Sequence, residues 1–149
     1  MLFAAKSLLV LLCVTLFSFS VKKGGDSFEI VLNGKRVLQQ FVYASKGIQT
    51  IQLTSTSDND KLDIYYKHCG QVGKDRSITI KNEKDQPIKV WKFADATDKD
   101  GAMSFKLKDI LSLRQNKTDK LNVFYSSAEL PAGRTLAVIG GDETGMARK

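Results

Sequence analysis

Apolar residues in this chain fall on alternate positions, in runs too short for helices, and turn-forming residues separate one run from the next. The stretch from Lys61 to Phe93 carries this pattern most clearly. Side chains alternate across an extended strand, so Leu62, Ile64, Tyr66 and His68 share one face while Asp63, Tyr65, Lys67 and Cys69 share the other. Ile78 and Ile80 repeat the pattern. Pro87 opens a further run in which Ile88 and Val90 lie on one face and Trp91 and Phe93 on the other, read here as a bulge near Val90 and Trp91 or as burial on both faces. With Gly70 to Asp75 and Asn82 to Gln86 as connections, the whole stretch predicts a β-meander.

The flanking sequence has the same grain. Phe28 to Leu32 and Arg36 to Val42 are strands joined by Asn33-Gly34, a strong hairpin signal because both central residues of a type I′ turn need positive φ. Ile48 to Leu53 is another strand, followed by a polar loop from Thr54 to Asp60. Phe105 and Leu107 begin a strand after the acidic loop Asp95 to Met103, and Asp109 to Arg114 is the one helix candidate, capped by Asp109. Leu121 to Tyr125 and Thr135 to Ile139 close the series around a Pro131-Ala132-Gly133 turn. Short strands at this spacing predict an all-β fold, an antiparallel β-sandwich of immunoglobulin-like or jelly-roll shape with at most one short helix. The 149 residues suit one domain over 21–139, with a disordered tail over 140–149.

Residues 1–20 predict a signal peptide. A lone early cation, Lys6, precedes the apolar run Leu8 to Phe17, and Ser18-Phe19-Ser20 offers small residues at a cleavage site. The run is short for a membrane span, which needs about 20 residues, so no span is expected in the mature chain and an uncleaved anchor is the alternative. Cys13 does not sit in a lipid-modification box, because Leu12 precedes it. Cleavage leaves Cys69 without a disulfide partner, and a free cysteine is expected to be buried. The protein is therefore read as secreted or periplasmic.

The formal charge of +7 favours anionic partners, but the lysines alternate with apolar residues, as in Ser104-Phe105-Lys106-Leu107-Lys108, and so read as a solvated sheet face. Nucleic acid is not expected. His68 and Cys69 are adjacent, which in a strand sends the two to opposite faces and works against a thiol dyad. Gly70 to Asp75 departs from a phosphate loop, with His68 where the first glycine belongs and Asp75 after Lys74, and it reads as a hairpin connection. Asp95, Asp98 and Asp100 are the candidate metal ligands, on a loop that has only part of a calcium-binding spacing and carries Lys99 at its centre. One histidine and one mature cysteine make zinc a poor fit, and no cofactor is expected. Asn116-Lys117-Thr118 is a glycosylation sequon in a glycosylating host. Tyr65, Trp91 and Tyr125 are the candidate ligand-binding rings, able to stack on a sugar or an extended chain if exposed.

These readings converge on an exported, non-enzymatic binding or structural module that contacts a protein or polysaccharide at the cell envelope. Two alternatives stand beside it. One is a small secreted enzyme using Cys69 and His68 or the loop carboxylates Asp95 and Asp98. The other is a basic adaptor for anionic polymers.

Overall fold

Asn33 and Gly34 both adopt positive φ, 50° and 80°, and this two-residue turn folds β1 (Ser27–Leu32) back on β2 (Lys35–Phe41). The computed structural model describes residues 25–45, 47–97 and 101–141. The expected signal segment over 1–20 and most of the expected tail lie outside them. After β2 come a short 3₁₀ turn (Val42–Ala44), β3 (Gln49–Ile51), β4 (Lys61–Lys67), β5 (Arg76–Lys81) and β6 (Pro87–Phe93). Then follow β7 (Met103–Lys106), helix α1 (Leu107–Leu111), β8 (Leu121–Ser127) and β9 (Leu130–Ile139). Two sheets result, in the orders β2-β1-β4-β7 and β3-β9-β8-β5-β6, and they face each other as an all-β sandwich.

The alternating pattern explains the core. Ile30, Leu62, Ile64, Ile78, Ile80 and Val123 lie on inward faces and are fully buried. Polar partners such as Glu29, Lys67 and Thr79 fall on the outward faces. Burying a side chain of this size is worth about 1.5–3 kcal/mol, so the two inner faces supply the bulk of the driving force.

Several expected elements differ in the structure. Lys61 to Phe93 is not one meander: β4 pairs with β1 and β7, whereas β5 pairs with β6 and β8, so Gly70 to Asp75 crosses between sheets and is no hairpin loop. β3 is shorter than predicted and runs parallel to β9. No bulge occurs at Val90 and Trp91. The register shift in β6 lies earlier, at Ile88, and strict alternation then turns Trp91 and Phe93 inward while Ile88 and Val90 stay 41% and 49% exposed. The helix begins at Leu107, two residues before Asp109, with no side-chain cap; the Leu107 N–H instead donates to the Asp60 carbonyl at 2.8 Å. The last hairpin turns at Ala128-Glu129, and Pro131 to Gly133 form an irregular part of β9. At the end of the described residues Gly140 and Gly141 are buried, and the Gly140 N–H donates to the Ile51 carbonyl at 2.8 Å.

Candidate functional site

The two sheets leave an open side where their edge strands β6 and β7 face each other. Inward residues of both strands meet there. The Trp91 and Phe105 rings meet edge to face at 5.1 Å and 75°, and Phe93 and Phe105 do the same at 5.2 Å and 79°. Such T-shaped pairs are a preferred aromatic geometry. Phe105 is the buried member, at 7% exposure, while Trp91 and Phe93 stay half-buried. These rings floor a groove of about 380 Å³ whose rim carries Lys92, Lys106, Lys108, Ser104 and Asp109. The Lys89 Nζ lies over the indole, 6.0 Å from the Trp91 ring centroid.

Of the three candidate rings, Trp91 lies in this groove. Tyr65 is half-buried on the outer face of the four-stranded sheet, opposite Glu29. Tyr125 points inward and is fully buried, stacked on Tyr66 at 4.1 Å, so no sugar reaches it. Alternation along β8 accounts for this, since Leu121, Val123 and Tyr125 share the core face.

Tyr125 instead belongs to a buried polar network at one end of the sandwich. The His68 Nε2 lies 3.0 Å from the Tyr125 hydroxyl and 3.1 Å from the Ser127 hydroxyl, and its Nδ1 lies 3.5 Å from Asp26 Oδ2. A proton on Nδ1 serves Asp26 and leaves the single lone pair of Nε2 to accept from the Tyr125 hydroxyl. The Tyr66 hydroxyl donates to Asp26 at 2.9 Å and accepts from Arg134 at 2.8 Å. Burial pushes both phenols above their ordinary pKa, and the Asp26 carboxylate adds to the rise at Tyr66.

The order carboxylate, imidazole, hydroxyl resembles a hydrolytic triad, yet the surroundings do not suit one. Ser127 is only 5% exposed, and its oxygen already accepts the Leu130 N–H at 3.2 Å. A nucleophile must be open to its substrate. These groups tie β4, β8 and the chain before β1 together.

The Gly70 to Asp75 crossing holds an anion, and that anion is the protein's own. The Lys74 N–H donates to both Glu129 carboxylate oxygens, at 3.0 and 3.2 Å. Burial works to raise the Glu129 pKa, but this N–H, the residue's own backbone and the Ser127 hydroxyl outweigh it and hold the carboxyl below its usual range. Asp95 is likewise occupied, accepting the Asp75 N–H at 2.8 Å. Asp98 and Asp100 lie outside the described residues, and among the described residues no cluster of three or more acidic, histidine or cysteine side chains is placed to hold a metal. Cys69 is exposed, contrary to expectation, in the turn that follows β4, where the Gln71 N–H donates to the His68 carbonyl at 3.4 Å.

Sequence reasoning singled out Trp91 as a candidate but not its neighbours in the groove. The groove needs β6 and β7 brought together from opposite sheets, and no local pattern encodes that. The buried network did leave a signal, because His68 sits on the same face as Leu62, Ile64 and Tyr66 and an inward histidine requires polar partners. No protein-family model and no curated protein matches this sequence.

Proposed function

We propose that the chain is an exported, non-enzymatic binding module that seats a polysaccharide of the cell envelope in the groove between β6 and β7. The observation that carries this reading is the half-buried indole of Trp91 in an open groove with a polar rim. Sugar rings have apolar faces that pack on aromatic rings, and their hydroxyls need polar groups around that contact. The export half of the reading rests on Lys6 and the apolar run Leu8 to Phe17. Among the described residues no helix is long and apolar enough to cross a membrane.

A protein partner is the second reading, favoured by a separate patch. Phe41, Tyr43 and Ile48 are 48%, 75% and 58% exposed, and the first two rings touch at 5.9 Å. Exposed aromatics of this kind are frequent anchors at protein interfaces.

Thermal unfolding with a panel of envelope polysaccharides tests the first reading. A ligand at a hundred times its dissociation constant stabilises the native state by about 2.7 kcal/mol, and Trp91→Ala is expected to abolish that shift. Unchanged melting with every glycan, together with retention of a protein through Tyr43, would transfer the function to the second patch.

A further inference from the structure

We propose that the groove selects acidic polysaccharides, with a sugar ring on Trp91 and its carboxylate or sulfate among Lys92, Lys106 and Lys108. This deepens the reading above and rests on the groove being a glycan site. The rim holds these three lysines against one carboxylate, Asp109. Lys108 is partly engaged with Asp58 at 3.3 Å on an exposed surface. Among the described residues neither Lys92 nor Lys106 is in an ion pair, so both ammonium groups are available to a ligand. A cleft rimmed by one sign of charge over low-dielectric walls concentrates the opposite ion.

Ammonium groups on flexible stems suit acidic groups that vary in position along a sugar chain. Nucleic acid fits less well. Among the described residues no arginine lines the groove to take a phosphate bidentately.

Trp91 is the chain's single tryptophan, so its fluorescence reports on the groove alone. The test titrates the full-length protein with an oligogalacturonate, a neutral oligosaccharide of equal length and a single-stranded oligonucleotide, each at low and high salt. Oligogalacturonate is expected to move the Trp91 emission, with affinity dropping about tenfold or more at high salt as the charge contacts are screened. Lys92→Glu and Lys106→Glu, both at exposed positions, are expected to weaken it by about tenfold without lowering Tm. Equal, salt-insensitive binding of the neutral oligosaccharide would overturn acid selection while leaving the glycan module standing. Tighter binding of the oligonucleotide would overturn the acidic-sugar assignment. An emission that none of the sugars moves would remove both readings together.

Discussion

Gly133 holds a φ of 66°, and a Cβ there would run into the Phe124 ring. Gly70, at φ 73°, faces open space. Both substitutions to alanine cost backbone strain of about 1–3 kcal/mol, but Gly133→Ala adds a steric clash and is expected to be the more damaging in urea unfolding. Equal midpoints for the two variants would show that Phe124 moves aside. Asp60 offers a test in pH. The Asn33 amide, then the Thr56 and Ser57 N–H groups, hold its carboxyl below the usual range. A depressed carboxylate stabilises the fold above its unfolded pKa of about 4, and that contribution fades as pH falls through the folded value. Asp60→Asn should therefore be less stable than the parent at neutral pH, with the gap closing in acid; a gap independent of pH would mean that the charge does not matter. At this scale the sequence was most readable where alternation alone decided the outcome. Leu62, Ile64, Tyr66 and His68 are all buried, as the period-two pattern requires. Cys69 was misjudged because the general burial of free cysteine was weighed above its place beside Gly70, where the chain turns after β4.

His68 joins the end of β4 to β8 through two hydroxyls and to the segment before β1 through Asp26. Replacing it by alanine strands those partners in a buried site, which costs about 1–3 kcal/mol. His68→Ala is expected to lower the denaturant midpoint with little change in slope, and Tyr125→Phe to do so by less. A midpoint unmoved by His68→Ala would mean that water takes over the imidazole's bonds. Elements were legible in proportion to how local their causes are. Asn33-Gly34 encodes its own turn through two positive φ angles, and Asn33 reinforces it by accepting the Lys61 N–H at 2.8 Å. The sheet assignment of β4 and β5 depends on β1, β7 and β8, so adjacency in sequence misled. Pro131 and Gly133 mimic a turn, yet Ala128-Glu129 turns first because the Glu129 carboxylate is fastened to the Lys74 N–H.

The sandwich as a whole was readable from strand number, spacing and punctuation, since two amphipathic sheets have few other ways to bury one face each. Its groove was not, because an open side exists only after both sheets are assembled. The proposed export makes its own prediction: N-terminal sequencing of the chain recovered from the periplasm or medium should begin at Val21. Intact Met1 sedimenting with membranes would restore the anchored alternative. A last consequence follows from the parallel pairing of Gln49–Ile51 with Ala137–Ile139. It joins strands separated by more than half the chain, and β9 is also the sole described neighbour of β3. Contacts this distant in sequence slow folding, because the intervening loop must be closed before they are gained. During synthesis β3 cannot pair until β9 has left the ribosome, whereas all four strands of the other sheet are made once Lys106 has been added, so the two sheets are completed one after the other.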